Sequence, residues 1–521
     1  MKLFDSRLSI MFIVANVLLG TDLLSLLIKV FIIGHVMVII GLFLRWRVIR
    51  SGNWSGVLGT NFYFPFGDWP GLLSSKDGLD LLRLCNRLGN PYVYRVWVGP
   101  RPALMLAHPD AVREFWEYHD ETKIEREVKL SWALLHIMGQ AIGFKPYRAR
   151  NRISKFFHAC FGPRNVSRFH MQIENAINEF IIRLRHLTNN ETLVDIGKEL
   201  SLLGHDASAY MYLGRKSSRY LNELRTFVDE MNHLMTLSCC SFWVNISGLR
   251  WILPEAYKLR LKIASFRHKW GSLLGKLMSE YKEELEANKN DKEQFNDSML
   301  TQYIQMEAEG KCDVTFEELM DTFTESLFFP TDVVAATAAY TLILLAMNQN
   351  VQTFTRELLW DKLPDRSTVT LDDVDSIEYL DWILNECQRM FPVQMLNTPE
   401  FTSEAMTIAG ISIPKDTMVI YDTHSMHRRD GIWDEPLVFR PERFRHLDAK
   451  QRKAIHAFGN GRTRRCLGEY FVRALHKLLI ARILLDYRVQ TIDNYQNIDE
   501  IPRKQIPLAY APNICLQFVP L

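Results

Sequence analysis

An apolar run stands near the head of the chain. From Leu23 to Leu44 (LLSLLIKVFIIGHVMVIIGLFL) 22 residues are broken only by Lys29 and His35, and about 20 apolar residues suffice for a bilayer-spanning helix. Arg45, Arg47 and Arg50 follow at once. This predicts one membrane anchor with the rest of the chain on the cytosolic side. A shorter run, Leu8 to Gly20, covers 13 residues and reads as a signal-peptide core, a re-entrant segment or part of a hairpin. A cleaved signal would place the domain in the lumen and make the Asn-x-Ser/Thr sequons at Asn53, Asn165, Asn190, Asn245 and Asn296 glycan acceptors. The uncleaved anchor is preferred because the longer run is the one that ends in a basic flank.

Beyond the anchor the pattern changes period. SGNWSGVLGTNFYFPFGDWPG is a glycine-, proline- and aromatic-rich linker. PYVYRVWVGPRPALMLAHP has β-branched and aromatic runs broken at Gly99-Pro100, a hairpin signal. From about Asp110 to Asn350 apolar positions recur at helical spacing, and one long apolar helix is predicted from about Phe316 to Asn348. Strand alternation returns in FTSEAMTIAGISIPKDTMVIYDT, and PLAYAPNICLQFVPL reads as a short strand pair. No internal repeat and no compositional break divides the remainder. The expectation is an anchor in residues 1–50 and one large domain, mainly α with minor β, in residues 51–521.

Composition narrows the function more than the fold. Hydrophobic residues make up 47% of the 521-residue chain and charged residues 23%, which suits a folded domain with a large core. The 62 basic and 60 acidic side chains leave a net charge of +2, arguing against nucleic-acid binding driven by bulk charge. The eight cysteines show no paired spacing and no histidines at zinc distances, so most read as reduced thiols.

Cys466 stands apart, in HAFGNGRTRRCLGEYF. Arg462, Arg464 and Arg465 crowd it, and an amphipathic helix pattern, GEYFVRALHKLLIARILLDY, begins beside it. Nearby cations and a helix N-terminus favour a thiolate, the form of cysteine that binds metals. Gly459, Gly461 and Gly468 allow the backbone to approach something flat and bulky. A nucleophile lacks a local histidine base. A haem iron held by one axial cysteine fits better, and a buried structural cysteine is the plain alternative.

FGNGRTRRCLG resembles the haem-binding loop of the cytochrome P-450 family, Phe-x-x-Gly-x-Arg-x-Cys-x-Gly: Phe458, Gly461, Arg464, Cys466 and Gly468 match in kind and order, with one residue inserted between Gly461 and Arg464. ECQR resembles the family's Glu-x-x-Arg, with Glu386 and Arg389 on one helical face. FRPERF resembles its Pro-Glu-Arg-Phe segment, and the stretch between, IPKDTMVIYDTHSMHRRDGIWDEP, is similar with one extra residue at His427–Asp430. The resemblance covers about residues 55–521. It implies a haem cofactor (iron protoporphyrin IX) with Cys466 as axial ligand and metal contact, and Phe458, Gly461 and Gly468 shaping the loop. It further implies Glu386, Arg389 and Arg443 in a buried structural network, and Arg464 with Arg152 (or Arg148) on the haem propionates, Tyr147 standing in for the family's tryptophan. The anchor matches the microsomal members, so the implied place is the endoplasmic reticulum membrane, with the domain cytosolic. Partners would be a lipophilic small molecule (steroid, fatty acid, terpenoid or xenobiotic), membrane lipid and an NADPH-dependent reductase. Arg452, Lys453, Arg462, Arg465, Arg473 and Lys477 offer a docking face for the reductase or ordinary solvated charge.

The central helix departs from the family. Where members carry Ala/Gly-Gly-x-Asp/Glu-Thr-Thr, this chain reads FFPTDVVAAT. Counting 53 residues back from Glu386 lands on Val333 at the threonine position, with Asp332 as the proton-relay acid. Pro330 should kink the helix. Glu325-Ser326 is an alternative acid–alcohol pair, seven residues earlier. The implied function is a haem-dependent monooxygenase. Val333 motivates an alternative isomerase or dehydratase that needs no oxygen activation, and the departures together motivate a non-catalytic haem or lipid binder.

Overall fold

A computed structural model describes residues 25, 27–44, 57–60, 67–68, 79–98, 101–117, 124–125, 132–145, 147–161, 166–190, 193–240, 254–287, 298–328, 330–363, 369–393, 396–397, 399–460, 464–505 and 509–521. The run Leu8–Gly20, most of the linker, Phe329, Gly461 and Arg462 lie outside the described residues. The first helix, α1 (Leu27–Leu44), has a mean hydropathy of 2.6 and buries none of its surface against the domain. The second segment apolar enough to cross a membrane, Phe316–Met347, is 87% buried inside the protein, which marks it as core.

The body is mainly helical, as its period predicts. The helices that build the site are α2 (Tyr147–Phe161), α3 (Ile196–Leu213), α4 (Leu221–Cys240), α5 (Pro254–Ala287), α6 (Phe316–Phe323), α7 (Pro330–Met347), α8 (Glu378–Met390) and α9 (Glu469–Asp486). One core joins them, with Leu203, Ala336, Tyr340, Leu384 and Leu475 each almost wholly removed from water. The expected long apolar helix is present over Phe316–Met347 but is not uniform: α6 passes into a π-helical turn, Thr324–Phe328, before α7 begins at Pro330, whose missing N–H cannot join the helical ladder.

The predicted hairpin is present as β1 (Val93–Val98) and β2 (Arg101–Leu106), paired antiparallel from Val93↔Leu106 to Val98↔Arg101. With β3 (Ile124–Glu125), β4 (Glu400–Thr402) and β5 (Met418–Tyr421) they form a sheet of order β1-β2-β5-β4-β3, in which β2 and β5 run parallel. The C-terminal strands do not pair with each other. Ala509–Tyr510 pairs with Lys504–Gln505, whereas Cys515–Pro520 lies between Leu193–Asp195 and Tyr487–Thr491. Strand propensity is local, but the choice of partner is made by distant chain.

Candidate functional site: a cysteine loop and a buried charge network

The loop before α9 folds back on itself. Cys466 N–H donates to the Phe458 carbonyl at 2.8 Å, and Gly459 N–H to the His456 carbonyl at 3.1 Å. Gly459 has φ +83°, and a Cβ there would stand 2.8 Å from the Arg464 carbonyl oxygen. Only glycine fits that conformation without strain. Gly468, the residue before α9, directs its N–H to the Cys466 sulfur. The Cys466 side chain presents open surface even though the surrounding protein crowds it.

The electrostatics differ from the expectation. Burial pushes the Cys466 thiol up; Gly468 N–H and Arg150 act against this and Glu469 reinforces it. The neighbouring arginines are already matched. Arg465 binds Glu469 through both oxygens, at 2.7 and 3.0 Å. Arg473 reaches the same carboxylate at 3.3 Å and lies 5.0 Å from the centre of the Phe458 ring. A thiol in such a place becomes a thiolate when a metal displaces its proton. The open face, the glycine turn and the sulfur-directed N–H suit a broad, flat metal-bearing group such as haem.

Behind the loop, Glu386, Arg389 and Arg443 do meet. Glu386 accepts from Arg389 at 2.7 and 2.9 Å, from Arg443 at 2.9 Å and from the Arg440 N–H at 3.0 Å. Arg389 also donates to the carbonyls of His427 and Pro436 at 2.9 and 2.8 Å, and stacks 5.3 Å from the Trp433 ring centre. Arg443 donates to the Asp434 and Val438 carbonyls. Two buried cations around one carboxylate are tolerated because backbone oxygens satisfy the remaining donors.

The other positions divide. Arg464 is buried, its Nε 3.9 Å from Glu400, a fully buried carboxylate on β4 that the sequence reading passed over. Arg152 is engaged elsewhere. It is bound to Glu318 and the Asp313 carbonyl and is about one-third exposed. Arg148 is exposed. The guanidinium that acts on Cys466 belongs to Arg150, which is 5% exposed and donates to the Ile142 carbonyl at 3.2 Å. The signal for it lay in the helical period: Arg150, Ile153 and Phe157 share the inward face of α2, while 148 and 152 share the outward one. Asp332 is half-buried on α7 and accepts from the Asn232 side chain at 3.1 Å. The nearest hydroxyl, Thr331, is tied to the Leu327 carbonyl at 3.0 Å. Glu325, on the π turn, is a second acid, after Glu469, whose charge reaches Cys466. Lys477 is not on a docking face: it is buried, bound to Asp375 and Asp381.

Comparison with known proteins agrees with this architecture. The family description "Cytochrome P450" matches residues 70–514. Cytochrome P450 3A15 of Cavia porcellus is 23% identical over 433 residues, covering 82% of each chain. Dolabradiene monooxygenase of Zea mays is 23% identical over 422 residues, 78% of this chain and 80% of the relative. Cytochrome P450 3A5 of Homo sapiens is 32% identical over a shorter stretch of 162 residues, 31% of this chain and 32% of the relative. With the cysteine loop, the Glu386 network and a family match across most of its length, the chain belongs to the cytochrome P450 family, oxygen-incorporating oxidoreductases that carry haem on an axial cysteine thiolate.

Proposed function

We propose that this protein is a membrane-anchored monooxygenase in which Cys466 is the axial ligand and a lipophilic small molecule is the substrate. The observation that carries the reading is the cysteine loop: an open Cys466 sulfur on a turn closed by Phe458 and Gly459, in the same domain as the buried Glu386–Arg389–Arg443 network. Arg150 and Arg464 are the buried cations for the haem carboxylates, with Arg150 taking the part first given to Arg152. Phe458, Gly459, Gly461 and Gly468 shape the loop, and Asp332, oriented by Asn232, holds the proton-relay position. When bound, the haem supplies the iron at which oxygen is activated. The protein's own contribution is to hold the sulfur, orient the cofactor's carboxylates and keep water out of an apolar core. Residues 1–50 form the anchor and 51–521 the catalytic domain, placed on the cytosolic side of the endoplasmic reticulum membrane. The exposed apolar surface of α1 and the basic flank after it support that reading. Electrons would come from an NADPH-dependent reductase. Arg465, two-thirds exposed, and Lys453 remain on the cysteine side for it.

A Cys466→Ser variant tests the assignment. The wild-type protein, reduced and exposed to carbon monoxide, should show the thiolate-type difference spectrum, and the variant should lack it. A second reading, an isomerase or dehydratase on the same haem, is favoured by Val333 at the alcohol position with Thr331 engaged elsewhere. NADPH-dependent oxygen consumption separates the two.

A further inference from the structure

Residues 140–143, just ahead of α2, give up successive backbone donors to one face of the helix that leads into the π turn. Gln140 N–H donates to Asp321 at 2.6 Å, Ile142 N–H to the Thr322 hydroxyl at 3.2 Å, and Gly143 N–H to Glu325 at 2.8 Å. Asp321 is fully buried and anchored by Arg267 of α5 at 2.6 Å; Arg267 also donates to the Ile137 carbonyl. Gly143 has no room for a Cβ beside Glu325, so the backbone lies directly against the carboxylate. The carbonyl of the same segment, at Ile142, receives the Arg150 guanidinium. The segment is therefore held from one side by the π turn and holds Arg150 on the other.

The sequence explains why such a clamp is needed. The resemblance puts Tyr147 in the place of the family's tryptophan, so the indole N–H is absent here. Glu325 sits in the π turn, where its carboxylate accepts from the Gly143 N–H.

We propose that Glu325, together with Thr322, is a positioning residue for Arg150 and through it for the haem carboxylates, in a chain that lacks the indole of the resemblance. The inference rests on the haem-binding reading above. Losing one buried hydrogen bond of this kind loosens what it holds by roughly tenfold.

The test uses the full-length protein in detergent and measures the rate of haem transfer to excess apo-myoglobin, followed at the Soret band. Glu325→Ala should release haem about tenfold faster. Glu325→Gln, which keeps an oxygen to accept from Gly143, should stay within about twofold of wild type. Arg150→Ala should also release haem faster, and adding Glu325→Ala to it should change little, since both act on one contact. If Glu325→Ala fails to fold, Thr322→Val, which removes the adjacent acceptor without touching a charge, carries the same expectation. Wild-type retention in Glu325→Ala, or strict additivity with Arg150→Ala, overturns the proposal while the haem-binding reading stands. A wild-type protein that purifies without haem despite ample supply overturns both.

Discussion

Replacing Arg389 by methionine is the most demanding test of the network behind the cysteine loop. The substitution keeps much of the side-chain volume and removes the charge. It deletes the two contacts to Glu386 at 2.7 and 2.9 Å and the donors to the His427 and Pro436 carbonyls. Arg389 and Glu386 are 1% and 0% exposed, so water does not replace what is lost. Removing one partner of a buried ion pair costs about 3–5 kcal/mol, and each stranded carbonyl adds about 1–3 kcal/mol where nothing else satisfies it. Arg443 remains on Glu386 and offsets part of this. A net loss of about 5 kcal/mol is expected, comparable with the whole stability of a marginal domain. Guanidinium unfolding of the full-length protein, followed by tryptophan fluorescence, should show the folded baseline shortened or absent, and purified variant should carry little haem. Arg389→Lys keeps the charge but not the two-pronged geometry and should fall between. A methionine variant within about 1 kcal/mol of wild type, with full haem content, would refute the claim that this network holds the loop's foundation.

Gly459→Ala places a Cβ 2.8 Å from a backbone oxygen at φ +83° and should cost about 1–3 kcal/mol, read as a lower unfolding midpoint and reduced haem content. Val333→Thr restores an alcohol at the relay position; the ratio of product formed to NADPH consumed should rise if the protein is a monooxygenase. The buried His476, whose ring bonds the Val334 carbonyl at 3.1 Å, is lowered by burial to about 4. Its unfolded form titrates near 6.5, so its neutral-state contribution is whole above about pH 6.5 and is lost as the pH falls toward 4, roughly 3 kcal/mol in all. His476→Gln should flatten that part of the acid unfolding curve, and an unchanged slope would contradict it.

How far the site could be read ahead of the structure varied with how local its determinants are. The Glu386–Arg389 pair was legible because three-residue spacing on a helix brings side chains together whatever the rest of the fold does. The turn at Gly459 was legible because glycine marks backbone conformations that other residues avoid. The buried arginine of α2, Arg150, was missed. Arg148, Arg150 and Arg152 are chemically identical neighbours, and only the packing of α2 through Ile153 and Phe157 turns the middle one inward. The thiol's surroundings were misjudged for a related reason. Arginines next to Cys466 in sequence were expected to stabilise its anion, but Glu469, four residues after Arg465, claims that cation, and buried Glu400 approaches Arg464 from a distant strand.

From the sequence alone came the apolar N-terminal helix, the helical body, the irregularity at Pro330 and the cysteine set in a glycine-bounded loop, because each follows from the identity of a residue and its near neighbours. The tertiary structure decided which arginine of α2 is buried, which carboxylate answers which cation, and that the turn before Pro330 winds as a π helix in which Glu325 accepts from Gly143. Those outcomes depend on the side chains that arrive from remote elements to compete for the same partner, and burial and charge pairing settle that competition only once the chain is packed.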